Sequence, residues 1–192
     1  FKRNTETVEG LIESKPLEDD IRRYKSYKEL IKGSEILDFG CGRGDFVQLS
    51  KKISKRSVGL ELDTINREYL NNIGVQCVYT LSELNDDKFD LITLNHVFEH
   101  LNTEVIEWIS ECHRILKAGG KLTLRLPAWD NELSYRDPTH KKVFHHETFD
   151  YFDPEKELYK LFGRYYWDNV PLFQVTFVGR ENNDLRFELI RR

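Results

Sequence analysis

Two hydrophobic periods alternate along the chain. Leu17, Ile21, Tyr24 and Ile31 recur at near-helical spacing after Pro16, predicting an amphipathic helix that stops at Gly33. Beyond it the apolar residues bunch into short runs closed by glycine, proline or a polar cluster. Glu35–Phe39, Ser57–Leu62, Val75–Tyr79, Phe89–Leu94 and Lys121–Leu126 each read as a strand. Helical spacing returns between them at Phe46–Ile53 and Thr64–Asn72. It is strongest at Val105, Trp108, Ile109, Cys112 and Leu116, a helix that Asn102 or Thr103 can cap and Gly119 can end.

Strands that alternate with helices imply right-handed crossovers and a mostly parallel sheet, an open α/β architecture. The tail differs. Phe173–Val178 and Leu185–Ile190 both alternate about the segment Gly179–Asp184, which predicts an antiparallel hairpin at one sheet edge. In an open sheet of this kind a ligand binds at the carboxyl ends of the strands, near the first.

Composition narrows the function classes. A formal charge of −4 over 192 residues lacks the field of a non-specific nucleic-acid binder, so nucleic acid is not the expected partner. With 39% hydrophobic residues, and with 12 Phe, 9 Tyr and 3 Trp, the chain is expected to pack rather than stay disordered. No membrane span is expected. The chain opens on Phe1 and contains no Met, so the natural amino terminus is expected to lie upstream. Cys41, Cys77 and Cys112 form neither a disulfide framework nor a CxxC pattern, which suits a reducing, cytoplasmic setting.

The most informative stretch is Ile36-Leu37-Asp38-Phe39-Gly40-Cys41-Gly42-Arg43-Gly44-Asp45-Phe46: strand, glycine turn and helix start in succession. Glycines there permit positive φ and the close approach of a ligand, and the following helix offers free N–H groups. Glu61 ends the second strand 21 residues after Gly40, where a carboxylate can accept hydrogen bonds from a ribose diol. A nucleoside-containing cofactor is expected. The dinucleotide pattern would need a glycine at position 45, where this chain has Asp45, unfavourable beside a pyrophosphate. No Gly-Lys-Ser/Thr follows either, so the phosphate-loop pattern fails.

Asp38-x-Gly40-x-Gly42-x-Gly44 resembles the first motif of class I S-adenosylmethionine-dependent methyltransferases. Val58–Leu62, Phe89–Leu101 and Arg114–Leu122 are similar to the family's second strand, its fourth strand with the turn after it, and the segment leading into strand five. The resemblance spans about residues 30 to 127. It implies a three-layer Rossmann-like sandwich with seven strands in the order 3-2-1-4-5-7-6. It also implies S-adenosyl-L-methionine as cofactor. Asp38, Gly40, Cys41, Gly42 and Gly44 would then line its methionine end, Glu61 and Leu62 would hold the ribose and border the adenine, and Asn95 would lie near the methyl group. The acidic residue that the family often carries after strand three is missing from Tyr79-Thr80-Leu81-Ser82-Glu83; backbone around Thr80 and Leu81 takes its place in this reading.

Two histidine-rich places follow. His96-x-x-Glu99-His100 would share one face of a helix at i, i+3 and i+4. It also fits the HxxEH string of zinc proteases, a reading the surrounding methyltransferase pattern excludes. A similar ExxEH run binds a divalent metal in some methyltransferases of quinone precursors or RNA ends; His96 in the first position would favour zinc over magnesium. We expect no metal, with Glu99 and His100 ordering the turn beside the cofactor. In Arg136-Asp137-Pro138-Thr139-His140 the Asp-Pro turn is expected to present Thr139 and His140 toward the cleft. This segment resembles one in methyltransferases that modify hydroxyl groups of small molecules, quinone precursors among them, and in enzymes of surface-polysaccharide clusters. His140 is the candidate general base or substrate contact, with His100 the second catalytic candidate.

Tyr151, Phe152, Phe162, Tyr165, Tyr166 and Trp167 are read chiefly as core aromatics. His145 and His146 are expected to open a helix near Glu147, and His113 to lie on a helix surface. The expected plan is one domain: helical cap 1–33, cofactor-binding core 34–127, substrate lid 128–170 and hairpin 171–192. The expected function is methyl transfer to a hydroxyl, or an amine, of a small molecule or glycan. The alternatives are an RNA methyltransferase and a non-catalytic S-adenosylmethionine-binding module. Oligomeric state is left open by the sequence.

Overall fold

The computed structural model describes residues 16–163 and 171–192. Tyr165, Tyr166 and Trp167, named above, lie outside the described residues. Two compact units divide between Leu84 and Asn85.

In the first unit α1 (Glu18–Ile31) carries three acidic residues in its first turn, where they oppose the helix dipole favourably. Its buried seam is Arg23, Tyr27 and Ile31, a strict i, i+4, i+8 row. Leu17, expected on that face, is 52% exposed. The expected Leu17/Ile21/Tyr24 stripe is therefore displaced, because a buried arginine occupies the position that periodicity assigns to an apolar residue. Tyr27 meets Phe46 edge-on at 6.4 Å between ring centres. β1 (Glu35–Phe39) runs parallel to β2 (Arg56–Leu60) from Glu35↔Arg56 to Phe39↔Leu60. Between them lies α2 (Asp45–Ser50), shorter than the predicted Phe46–Ile53. α3 (Thr64–Asn72) matches its prediction, and the Asp63 carboxylate caps it by accepting from Asn66 N at 3.1 Å. β3 shrinks to Cys77–Val78, paired with Gly59 and Leu60. The three cysteines are free and buried.

In the second unit β4 (Phe89–Asn95) lies parallel to β5 (Leu116–Pro127), with α4 (Val105–Ile115) between them in sequence. Trp108, Ile109, Cys112 and Ile115 form the buried face of α4. The expected cap is not made: Glu104 is the N-cap residue and gives no side-chain hydrogen bond. Nor does Gly119 end the helix. Phe89 pairs with Leu116 and Leu91 with Lys121, so Lys117–Gly120 bulge from the ladder, with Gly119 at φ 76°. α5 (Leu133–Arg136) is a single turn. β6 (Phe173–Glu181) and β7 (Asp184–Arg191) form the predicted hairpin, tightened to an Asn182-Asn183 turn with Asn182 at φ 55°. β7 pairs antiparallel with β5 from Lys121↔Ile190 to Pro127↔Asp184.

The sheet order is β3-β2-β1-β4-β5-β7-β6, seven strands with only the hairpin antiparallel. This is the Rossmann-like order predicted above. Aromatic packing anchors the second unit: Phe98 meets Trp108 at 4.4 Å and Phe144 at 5.1 Å, while Phe149 meets Phe187 at 4.7 Å. Each ring so buried contributes about 1.5–3 kcal/mol. Phe152 belongs to this core; Phe162 is exposed. Among the described residues no helix is long and apolar enough to cross a membrane.

Candidate active site

The glycine turn folds as its composition demands. Gly40, Gly42 and Gly44 take φ of 69°, 53° and 72°, a left-handed series costly for side-chain-bearing residues. Gly40 N and Cys41 N both donate to Leu60 O, at 2.8 and 3.1 Å, tying the turn to the end of β2. A Cβ on Gly44 would lie 2.4 Å from Leu70 Cδ2, whereas one on Gly42 would meet nothing within 4 Å. Gly44 is thus needed for packing, and Gly42 leaves open space above the turn.

Glu61 closes this cradle. Its Oε2 accepts from Gly42 N and its Oε1 from Asp63 N, each at 2.8 Å. Each oxygen keeps a second lone pair, so the carboxylate is fixed in place with acceptor capacity to spare. Leu62 is exposed and Leu81 buried. Glu83 spends its carboxylate on Tyr79 N and Thr80 N, both at 2.9 Å, which holds it below the usual carboxylate range.

Asp38 is 1% exposed and forms a buried ion pair with Arg23 of α1. Arg23 also binds Asp20 at 2.9 Å and lies 4.3 Å from the Phe46 ring centre. Asp45 accepts from Leu17 N at 3.0 Å and pairs with Arg43 at 3.0 Å, so it anchors chain segments at the start of α2. Burial pushes the Asp20 carboxyl up to about 6, against the pull of Arg23, and the nearby Asp38 and Asp45 add to the rise. Arg23 was missed by sequence reading. Its signal was the row Arg23, Tyr27, Ile31 with Asp20 one turn earlier.

At the carboxyl end of β4, Asn95 is followed by His96 at φ 53°. The predicted helical face does not form: Phe98–His100 is one 3₁₀ turn, and His96 stands outside it. His96 lies between two carboxylates, Nε2 3.1 Å from Asp184 and Nδ1 3.4 Å from Glu99. The Asp184 hydrogen bond, then Glu99, push its imidazole up to about 10, against burial. Asp184 is held in turn by Arg125 Nε at 2.8 Å. Nothing in the sequence pattern pairs residues 88 apart; only the register of β7 against β5 does.

Glu99 is 1% exposed; its Oε1 faces His96, and its Oε2 has no hydrogen-bond partner among the described residues. His100 Nε2 is 4.0 Å from Glu99 Oε1, and His100 Nδ1 is 2.9 Å from Thr139 Oγ1. The His140 ring meets the His100 ring edge-on at 4.7 Å. His140 Nδ1 lies 3.4 Å from Ser134 O and its Nε2 3.9 Å from Asp137. The Asp-Pro turn therefore brings Thr139 and His140 to His100. The nearest ligand atoms of Glu99, His100 and His140 fall within 4.8 Å of one another, close enough to share a cation; those of His145, His146 and Glu147 do so as well. His145 and His146 do not open an α-helix, and Thr148–Phe152 is a 3₁₀ segment. His113 is half-buried on α4, its ring 5.4 Å from Phe173.

A parallel sheet with a glycine turn after its first strand and a carboxylate locked across that turn defines a nucleoside-cofactor α/β protein. Residues 13–172 match the model of a methyltransferase domain family, and the chain belongs to that family. The chain spans about half the length of the curated relatives it matches. It is 26% identical over 125 residues to an uncharacterized protein of Methanocaldococcus jannaschii, covering 65% of this chain and 53% of that one. It is 29% identical over 111 residues to the ubiquinone biosynthesis O-methyltransferase of Xanthomonas euvesicatoria, covering 53% and 46%. Among solved structures, a SAM-dependent methyltransferase from Archaeoglobus fulgidus superposes with a TM-score of 0.63 at 22% identity, over 88% of this chain and 92% of that one. The family's cofactor is S-adenosylmethionine. The open space at Gly42 and the spare lone pairs of Glu61 suit its adenosyl group, as an uncharged sugar diol can donate to the carboxylate without charge repulsion.

Proposed function

We propose that the protein transfers the methyl group of S-adenosylmethionine to a hydroxyl, or an amine, of a small molecule or glycan. The bound cofactor supplies an electrophilic methyl on a sulfonium, whose leaving group is neutral, so no general acid is required. In this reading Glu61 binds the ribose, and the turn from Gly40 to Gly44 receives the methionine end. Leu62 and Leu81 border the adenine, Asn95 lies near the methyl group, and His100 and His140 serve the acceptor. Asp38 contributes through its ion pair with Arg23, which fixes the strand end that leads into the turn.

The observation that supports hydroxyl chemistry is the His100–Thr139–His140 cluster, which places two imidazoles side by side. A neutral hydroxyl is a weak nucleophile and gains from a positioned base, typically by about 10²–10⁴-fold. Incubating the protein and cofactor with panels of phenols, sugars, amines and RNA, with detection of methylated product by mass, tests the proposal. Methylation of RNA alone, or of no acceptor despite cofactor binding, would overturn it. Calorimetric titration with S-adenosylhomocysteine tests the cofactor half: Glu61→Ala is expected to weaken binding at least about tenfold, roughly 1.4 kcal/mol.

A further inference from the structure

We infer that Asp137 and Thr139 set the tautomer of His100, so that His100 Nε2 is the base that receives the acceptor's proton. The inference rests on the hydroxyl reading above and deepens it. Thr139 Oγ1 lies 2.6 Å from Asp137 Oδ1 and 2.9 Å from His100 Nδ1. Asp137 Oδ1 also accepts from Thr139 N at 2.8 Å. These two bonds from Thr139 hold the Asp137 carboxyl below the usual carboxylate range, so it is ionised and can only accept. The single hydroxyl proton of Thr139 therefore goes to Asp137. Oγ1 is left with lone pairs toward His100, and Nδ1 must be the donor. A neutral imidazole that carries its hydrogen on Nδ1 has its basic lone pair on Nε2.

The surroundings of Nε2 favour a proton that arrives there. Glu99 Oε1, which also pairs with His96 Nδ1 at 3.4 Å, is 4.0 Å away on a side chain only 1% exposed. An imidazolium formed at His100 would share that carboxylate with His96. His96 shares Glu99 but is occupied at both ring nitrogens by carboxylates, which leaves it no lone pair for this task. His140 has its Nδ1 on the Ser134 carbonyl, and its side chain is only 9% exposed, against 37% for His100. Of the three histidines, His100 alone combines a fixed tautomer, an Nε2 lone pair and access. His140, edge-on to its ring, restricts its rotation.

In the step so assigned, the acceptor O–H bond breaks and its proton passes to Nε2. The acceptor oxygen's electron pair forms the new bond to the methyl carbon, and the sulfur–carbon pair stays on sulfur as the neutral thioether. Asp137 and Thr139 are positioning residues, and His100 is the catalytic one.

The decisive measurement needs no acceptor: ¹⁵N spectra of histidine-labelled protein, with the His100 signals assigned by His100→Gln. Neutral His100 is expected to carry its hydrogen on Nδ1. Thr139→Val is expected to abolish that preference and Thr139→Ser to restore it, with Asp137→Asn weakening it. Wild-type His100 protonated on Nε2, or a spectrum unmoved by Thr139→Val, would overturn the inference. Once an acceptor is found, Thr139→Val should lower kcat about a hundredfold with KM unchanged, and Thr139→Ser should recover it. Activity that is removed by a chelator and restored by zinc would also overturn it, since Nε2 would then be a metal ligand. If no hydroxyl acceptor is methylated while the tautomer behaves as stated, the proposed function fails and the positioning role of Thr139 stands.

Discussion

Replacing Arg23 by Met removes one half of a buried ion pair and leaves the other half in place. Asp38, 1% exposed, loses the guanidinium that pairs with it. Breaking one side of a buried pair in this way costs about 3–5 kcal/mol, because an uncompensated charge remains. The guanidinium also sits 4.3 Å from the Phe46 ring centre, a contact worth a further ~0.5–2 kcal/mol that methionine recovers only in part. For a domain of this size each kcal/mol lowers Tm by roughly 2–4 °C, so a drop of about 6–20 °C is expected in a thermal melt. Chemical denaturation of Arg23→Met, Asp38→Asn and the double variant then separates charge from packing. The double variant should be more stable than Arg23→Met by at least about 1 kcal/mol, since a neutral amide in place of the Asp38 carboxylate no longer needs the cation. Additive single effects, or an Arg23→Met within about 1 kcal/mol of wild type, would refute the reasoning.

Gly44→Ala combines φ 72° with a Cβ 2.4 Å from fully buried Leu70 and should lose about 2–4 kcal/mol in urea unfolding, whereas Gly42→Ala, with open space, should lose only about 1 kcal/mol yet bind S-adenosylhomocysteine more weakly. Equal stability losses would contradict the first half, and unchanged affinity the second. The His96 imidazole is raised from 6.5 to about 10, so its stabilising contribution is complete below about pH 6.5 and disappears as pH rises through 10. Because its side chain is 44% exposed, solvent screening reduces that contribution to about 1–2 kcal/mol. His96→Gln should remove this alkaline loss from a stability–pH profile; superimposable profiles would show that His96 carries no such linkage.

The sheet was legible because its signals are local and mutually consistent. Apolar runs bounded by glycine, and the hairpin pattern after Phe173, each depend on a few adjacent residues. The same holds for the glycine turn and Glu61, although the hydrogen bond from Gly42 N to Glu61 is a contact between strand ends that spacing alone does not reveal. What escaped was of two kinds. Element ends shifted where tertiary contacts replaced the expected cap: Leu17 N finds Asp45 at 3.0 Å, and the bulge at Lys117–Gly120 extends β5 back to Leu116. Charged residues in buried positions were also invisible, since periodicity treats Arg23 as a break in the stripe. The histidine string His96-x-x-Glu99-His100 was read as one helical face, but positive φ at His96 turns that residue toward Asp184, while His100 turns to Thr139.

The Asp184–His96 link has a consequence for the order in which the molecule is completed. Asp184 begins β7, 88 residues after His96 along the chain. Until β7 slots between β5 and β6, the histidine lacks its principal anion, and the turn that carries Glu99 and His100 has no fixed anchor on that side. The surroundings of His96 are therefore completed only once β7 has docked, and a chain cut short before Asp184 would keep the glycine cradle in sequence while lacking the clasp.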